Sequence, residues 1–403
     1  MQPLKLIIPG SFYDSLLYKG RLYLWDAGGE HITAIDWDKL VTSIEVTEGE
    51  KLPMVCGFKE SNRLYKSQDE LLYGDPDFRQ LLTSKFASLA DKGPRNVEAE
   101  VRACTLRVQP NPFMFPHSEA IAYYDIVYVA SQAGVQNTSC SSKKAVNPIR
   151  TNPTTTWSGR ATGIAPSYGH LAVCAGSEGL IDVRLSRDLF QRPEPEVLST
   201  SPTTFAAWTY WCIFAGSFSS GAYLATFTEP GKTPLGEPRP DRPESGRTDL
   251  RIDFVKTIGS AEIFGTSMFA WGRHDKLCQI QDGHAAVVRH VPWAKEPEAR
   301  FVPLGRVALG KTYGELVSAD SALFGFVLEF DQGIKVLQSD NEVVAIPGEP
   351  VNWRVFPRSV SYENQLHILY DDRLEVWSFN NDYLVNQDTK IAGVKYNPNA
   401  KPQ

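Results

Sequence analysis

The chain has 403 residues, of which 42% are hydrophobic and 22% are charged, as is ordinary for a globular protein. Its formal net charge of −6 gives no electrostatic reason to expect nucleic acid or an anionic membrane as the main partner. The 9 Trp, 16 Tyr and 20 Phe, together with 30 Gly and 27 Pro, favour strands and turns over long helices.

The first part of the chain is predicted to form an antiparallel meander, because short strand-forming runs alternate with turn residues. The predicted strands cover residues 5–8, 14–18, 21–25 and 31–36. Four strands of this length make one blade of a β-propeller. We therefore expect the first blade to consist of these four strands.

A similar hairpin occurs at both ends of the chain. Residues 18–25 and 370–377 each contain a Tyr, two turn-forming residues, then Arg-Leu and a strand that ends in Trp. A shared hairpin at such a distance indicates a repeat, and in a closed ring the first and last units would be neighbours. Strand and turn signals between the two hairpins bring the total to about seven β units of propeller size.

The segment 45–96 interrupts this pattern and is predicted to be a helical insertion after the first blade. Asp75 followed by Pro76 is typical of a helix start, and Gly93-Pro94 of a helix end. The apolar residues Phe78, Leu81, Leu82, Phe86 and Leu89 fall on one helical face. We expect Phe78, Leu82, Phe86 and Leu89 to contact either the rest of the chain or a protein partner, and we take these four as candidate partner-binding residues.

Strand signals resume directly after this helix, since small or apolar residues alternate with charged ones over residues 97–103. The segment 229–249 is rich in Pro, Gly and charge, so it is predicted to be a flexible loop. A polar tail covers residues 397–403. The remaining organisation is a propeller over residues 1–396.

The predicted fold is thus all-β, a single β-propeller of about seven antiparallel blades. Packing such sheets around an axis covers both faces of each one, which a lone small sheet cannot do. Two or three β-sandwich domains use the same strands and remain the alternative.

The chain resembles WD40-like β-propellers in layout. Trp25-Asp26 and Trp37-Asp38 are WD dipeptides, although no regular Gly-His pair precedes them, and the double glycine Gly28-Gly29 is similar to that of kelch repeats. The resemblance covers most of the chain and concerns architecture only. It implies a scaffold or binding platform, while fold alone does not fix function.

No motif in the sequence predicts a catalytic, cofactor or metal site. The six cysteines are scattered without a CxxC pair and are expected to be buried free thiols, and the seven histidines lack metal-ligand spacing. The paired acids Asp371-Asp372, and Asp36 beside Asp38, are interpreted as turn residues.

The functional hypothesis is a non-enzymatic scaffold or regulatory subunit of a multi-protein complex, with another protein subunit as partner. The alternatives are a glycosidase-like propeller enzyme and a ligand-sensing module that uses the central funnel. The apolar run in the first ten residues is interrupted by Pro9 and Gly10 and is too short for a signal peptide. No other apolar run reaches membrane-spanning length, so we expect a cytoplasmic protein.

Overall fold

The computed structural model describes residues 2–61, 75–140, 148–167, 169–185, 195–209, 212–217, 221–226, 253–258, 269–273, 276–281, 283–291, 294, 301–310, 314–338 and 341–380. Strands in these segments form seven sheets, of which six have four strands and one has five. The fold is therefore an all-β propeller with seven blades of WD40-like layout, as predicted. The alternative of separate β-sandwiches is not what the chain forms.

The strands have the following bounds in chain order: β1 (Leu4–Pro9), β2 (Phe12–Tyr18), β3 (Arg21–Asp26), β4 (His31–Asp36), β5 (Arg95–Asn96), β6 (Thr105–Pro110), β7 (His117–Tyr123), β8 (Ile126–Ser131), β9 (Gly134–Ser139), β10 (Thr154–Trp157), β11 (Gly163–Ser167), β12 (His170–Cys174), β13 (Leu180–Arg184), β14 (Glu196–Ser199), β15 (Phe205–Thr209), β16 (Cys212–Ser217), β17 (Gly221–Thr226), β18 (Asp253–Ile258), β19 (Phe269–Arg273), β20 (Lys276–Gln281), β21 (His284–His290), β22 (Phe301–Ala308), β23 (Leu316–Ala322), β24 (Gly325–Phe330), β25 (Gly333–Gln338), β26 (Val343–Pro347), β27 (Asn352–Val355), β28 (Gln365–Tyr370) and β29 (Arg373–Ser378). The helices among the described residues are α1 (Trp37–Ser43), α2 (Lys51–Phe58), α3 (Pro76–Asp91) and α4 (Glu98–Cys104), with one 3-10 turn at Glu48–Glu50.

The chain divides into two compact units. Unit 1 comprises residues 1–111 and 312–403, and unit 2 comprises residues 112–311. Unit 1 holds three sheets, with the strand orders β2-β3-β4-β6, β23-β24-β25-β26 and β27-β28-β29-β1-β5. Unit 2 holds the sheets β10-β9-β8-β7, β11-β12-β13-β14, β15-β16-β17-β18 and β19-β20-β21-β22.

Each unit buries apolar side chains between neighbouring sheets. In unit 1, Val327 and Val336 pack with Leu366 and Ile368 of the next sheet. In unit 2, one core joins β8 to β12 and β13, and a second joins β12 and β13 to β15, β16 and β17. The second and third strands of a sheet are buried on both faces, which explains their nearly continuous apolar sequences.

The first and last strands of the chain share one sheet. β1 pairs antiparallel with β29, so that Ile8 lies opposite Leu374 and Leu6 opposite Val376. This corrects the expected composition of the first blade, which does not contain residues 5–8. The local sequence marks residues 5–8 as a strand, but its partner lies at the other end of the chain. The hairpins β2–β3 and β28–β29 are spatial neighbours, as predicted.

The helical insertion lies inside the first sheet rather than after it. The fourth strand of that sheet is β6, which pairs with β4 after the chain has passed through α1 to α4. The strand expected over residues 97–103 is wrong, because Glu98–Cys104 forms helix α4. Ala and Glu are good helix formers, and Glu98 forms an (i, i+4) ion pair with Arg102. The segment 229–249 and the tail 397–403 lie outside the described residues.

Candidate interaction surface

Helix α3 begins and ends where the sequence predicts. The Asp75 carboxylate accepts hydrogen bonds from the backbone N–H groups of Asp77 and Phe78, both at 2.9 Å, and Pro76 is the first helical residue. At the other end Gly93 has a φ of +77°, which glycine adopts without strain. The helix is therefore defined by its own local sequence.

The apolar face of α3 is covered by the chain itself. Leu82, Phe86 and Leu89 are buried, and the helix contacts α2, the 3-10 turn and β1. Of the two sources of cover expected from the sequence, these three residues have the first, contact with the rest of the chain. Phe78 is half-buried, and its neighbour Leu81 is 54% exposed. Partner contact by the four predicted residues stays a prediction, and Phe78 is the one among them with accessible surface.

Helix α2 ends against polar side chains of the last sheet. The Gly57 carbonyl accepts hydrogen bonds from Asn364 Nδ2 at 3.0 Å and from Ser378 Oγ at 2.8 Å. The Phe58 carbonyl accepts from Gln365 Nε2 at 2.9 Å. These bonds satisfy carbonyl groups that a helix end leaves without intrahelical partners, and all of the groups are buried.

Trp37 of α1 also binds the C-terminal end of α2, since its indole Nε1 donates to the Phe58 carbonyl at 2.5 Å. Gly57 leaves little room at this junction, because a Cβ there would lie 3.1 Å from Ser378 Oγ and 3.2 Å from Leu4 Cδ1. The insertion is thus joined closely to the last sheet as well as to the first.

A second junction forms where the insertion returns to the first sheet. β5 pairs in parallel with β1, with Arg95 opposite Leu6 and Asn96 opposite Ile7. β1 therefore has neighbours on both sides in the five-stranded sheet. The insertion adds a strand to the outer edge of the last sheet, an edge that would otherwise offer unpaired backbone groups.

A buried carboxylate holds the 3-10 turn to the end of α3. Glu50 forms ion pairs with Lys92 and Arg95 and accepts a hydrogen bond from the backbone N–H of Thr47 at 3.2 Å. The hydrogen bond from Lys92 is the main cause that lowers the pKa of Glu50. The carboxylate is ionised at neutral pH and serves as an electrostatic link within the insertion.

A polar cluster lies buried between the first and last sheets. Arg354 donates two hydrogen bonds to the Asp14 carboxylate. Next to it, His367 Nδ1 lies 3.0 Å from Ser15 Oγ. Burial, together with a smaller effect of the Arg354 charge, lowers the pKa of His367 to about 3. The neutral His367 and its Ser15 neighbour have a spacing seen in nucleophilic dyads, but both are inaccessible to solvent, so their role is structural.

The other sequence candidates also have structural roles. Asp36 caps α1 by accepting from the Lys39 N–H at 3.0 Å, and Asp371 and Asp372 occupy the β28–β29 turn, as interpreted from the sequence. In unit 2, His170 Nδ1 lies 2.7 Å from an Asp182 carboxylate oxygen in a buried pair. Within the described segments, no group of three or more His, Cys, Asp or Glu side chains is arranged to hold a metal ion.

The residues that fix the insertion could not be found from the sequence. Asn364, Gln365 and Ser378 cap a helix more than 300 positions earlier in the chain. Nothing in the local pattern near them indicates this contact. The described helices include none that is long and apolar enough to cross a membrane.

Comparison with known proteins gives similarity at the level of fold only. No protein-family model and no curated protein match the sequence. Among solved structures, the chain is similar to the Swd1 β-propeller domain of Myceliophteria thermophila, with 9% identity, a TM-score of 0.48, and coverage of 92% of this chain and 96% of that one. It is also similar to Raptor of Chaetomium thermophilum, with 10% identity, a TM-score of 0.48, and coverage of 94% of this chain and 29% of Raptor. A third similar structure is a putative 6-phosphogluconolactonase from Bacteroides fragilis, with 11% identity, a TM-score of 0.45, and coverage of 72% and 85%.

Proposed function

We propose that the protein is a non-enzymatic scaffold, a subunit that binds another protein through the outer surface of α3 and the loops between blades. The observation that carries this proposal is the position of Leu81. It is 54% exposed on a helix that is held in place by its buried residues Leu82, Phe86 and Leu89. A large apolar side chain presented on a fixed helix is suited to anchor a partner.

The fixed position of the helix matters for affinity. α3 is held by the buried side chains of Leu82, Phe86 and Leu89 and by the ion pairs of Glu50. A partner that binds α3 therefore does not have to order it first, which reduces the entropic cost of association. Phe78 lies three residues before Leu81 and can extend the same contact area.

The described ionisable clusters favour a scaffold over an enzyme. Asp14, Ser15 and His367 are buried, with their polar atoms engaged in hydrogen bonds to each other and to Arg354. A catalytic group needs access to its substrate, which these groups lack. The glycosidase-like enzyme and the ligand-sensing module remain alternatives, and each predicts saturable binding of a small molecule.

The test compares two variants with the same charge change on neighbouring helix positions. Leu81→Lys removes the exposed leucine, whereas Gln80→Lys adds the same charge at an exposed residue about 100° away around α3. Tagged proteins are used for affinity capture from the native source, with quantitative mass spectrometry. We expect a partner that is retained by the wild type and by Gln80→Lys and is lost from Leu81→Lys. Identical captured proteins for all three forms would reject α3 as the binding surface.

A further inference from the structure

Strand β1 has a neighbouring strand on each side. On one side it pairs with β29 along its whole length. On the other side the short strand β5 pairs with it in parallel, and the backbone N–H of Val97 donates to the Ile7 carbonyl at 3.0 Å. β5 belongs to the insertion that separates β4 from β6. The last sheet therefore holds β1 between one of its own strands and a strand of the insertion.

The insertion also contacts β1 through its helices. Leu4, Leu6 and Ile8 share one face of β1 and are buried, and both α3 and α4 contact the strand. The end of α2 reaches Leu4, since a Cβ on Gly57 would lie 3.2 Å from Leu4 Cδ1. The Gly57 carbonyl accepts a hydrogen bond from Ser378, which lies opposite Leu4 in β29. The insertion is thus bound to β1 and to its partner strand at the same place.

Arg95 connects the strand contact to the rest of the insertion. Its backbone pairs with β1 opposite Leu6, and its guanidinium lies 3.4 Å from the Glu50 carboxylate and donates to the Glu45 carbonyl at 2.7 Å. Glu50 is buried and also forms an ion pair with Lys92 at the end of α3. One carboxylate therefore links β5, the 3-10 turn and α3, which together with α2 we name the clasp.

We propose that the clasp and β1 open as one cooperative unit, so that β1 stays in the last sheet only while the clasp is docked. Without the clasp, β1 has β29 as its only strand neighbour and loses its contacts with α2 and α3. A strand with so few contacts belongs to the least stable part of a fold. In the open state β29 becomes the outermost strand of the last sheet, with unpaired backbone groups along its edge.

This device also provides a route for regulation. Any ligand that binds only the docked clasp favours the closed state, because its binding free energy is added to the free energy of docking. A partner bound at Leu81 of α3 acts in this way. That consequence rests on the function proposed above, whereas the cooperative opening needs no partner and can be tested with the isolated chain.

Hydrogen exchange of the full chain, followed by mass spectrometry, measures the opening of each element. The variant Glu50→Gln removes the charge that binds Lys92 and Arg95 and keeps the size of the side chain. Its matched control is Glu98→Gln, which removes the exposed ion pair with Arg102 inside α4 of the same insertion. We expect Glu50→Gln to speed the exchange of β1 and of α3 by the same factor, about tenfold, and to leave β25 unchanged. The control should leave all three elements unchanged.

The opposite direction of the coupling is tested with Ile8→Ala, which truncates a buried side chain of β1 and leaves the ion pairs of the clasp intact. It should speed the exchange of α3 together with that of β1. Melting temperatures verify that the variants are folded.

The proposal is overturned if Glu50→Gln speeds the exchange of α3 but not of β1, if it changes neither element, or if Glu98→Gln has the same effect. Equal acceleration of β25 would also overturn it, because the whole of unit 1 would then open together. Faster exchange of β1 alone in Ile8→Ala would show that the clasp stays docked without β1, which contradicts a single cooperative unit.

Discussion

The backbone N–H of Gly20 donates a hydrogen bond to the phenol oxygen of Tyr362 at 2.7 Å, across 342 positions of sequence. Gly20 is in the turn between β2 and β3, and Tyr362 is in the connection before β28. Both residues are buried. The bond joins the first sheet to the last sheet of unit 1.

Tyr362→Phe should destabilise the protein by about 1–3 kcal/mol, because it leaves the buried Gly20 N–H without its acceptor. The measurement is the free energy of unfolding from a denaturant titration. The control is Tyr124→Phe, which removes a hydroxyl from a side chain that is 62% exposed and should change stability little. Equal stability of the Tyr362→Phe variant and the wild type would mean that water replaces this bond at no cost.

Phe86→Ala should cost about 3–5 kcal/mol, since Phe86 is buried where α3 contacts α2 and β1. Leu81→Ala on the same helix is the control and should change stability by no more than about 0.5 kcal/mol. Similar costs for the two variants would contradict the burial described for α3.

Leu374→Ala should cost about 2–5 kcal/mol, because Leu374 is fully buried in β29 opposite Ile8 of β1. Leu106→Ala, at a residue 49% exposed, is the matched control and should be close to neutral. A melting temperature unchanged by Leu374→Ala would show that the pairing of β1 with β29 does not bury this side chain.

Stability should fall as the pH is lowered from about 6.5 towards 4, in part because of His367. Burial lowers the pKa of His367 to about 3 from an ordinary value of 6.5, so in this range the unfolded state binds a proton that the folded state does not. The contribution is fully present above pH 6.5 and has a slope of at most about 1.4 kcal/mol per pH unit.

The variant His367→Gln should show a smaller dependence of unfolding free energy on pH over this range. His31→Gln, which changes an exposed histidine, should keep the slope of the wild type. Identical slopes for His367→Gln and the wild type would show that His367 has similar pKa values in the folded and unfolded states.

Trypsin should cleave first in the segment 229–249, after Arg247, and leave two fragments that remain associated. This expectation follows from the sequence alone, since the segment has little apolar content to bury. The fragments can be identified by mass spectrometry after limited digestion. Cleavage within the described strands while this segment stays intact would show that it is docked against the protein.

The elements predicted correctly from the sequence depend on local chemistry. The Lys19-Gly20 turn has the positive φ angles of 46° and 76° that a tight hairpin requires. The α3 helix carries its own N-cap at Asp75 and its own stop at Gly93. Such signals act between residues that are neighbours in sequence, so one sequence is enough to find them.

The features that were missed depend on contacts between distant parts of the chain. The sequence predicts β1 in the first sheet because nothing in its sequence identifies β29 as its partner. The sequence does not decide what covers α3, because the cover comes from α2 and β1. The sequence predicts a strand where helix α4 forms, since alternation over seven residues fits either a strand or a short helix.

The same reasoning applies to the candidate surface. The sequence shows that Phe78, Leu82, Phe86 and Leu89 share a helical face, but it cannot show that the face is covered while Leu81 remains exposed.

The central claim is that the protein works as a subunit held to another protein through α3. The most direct measurement is the molar mass of the protein purified gently from its native source, by size-exclusion chromatography with light scattering. We predict a mass well above the chain's own 44.9 kDa for the wild type and for Gln80→Lys, and a return to the mass of the free chain for Leu81→Lys. A wild-type protein that elutes at the mass of its own chain, with no second polypeptide, would contradict the account.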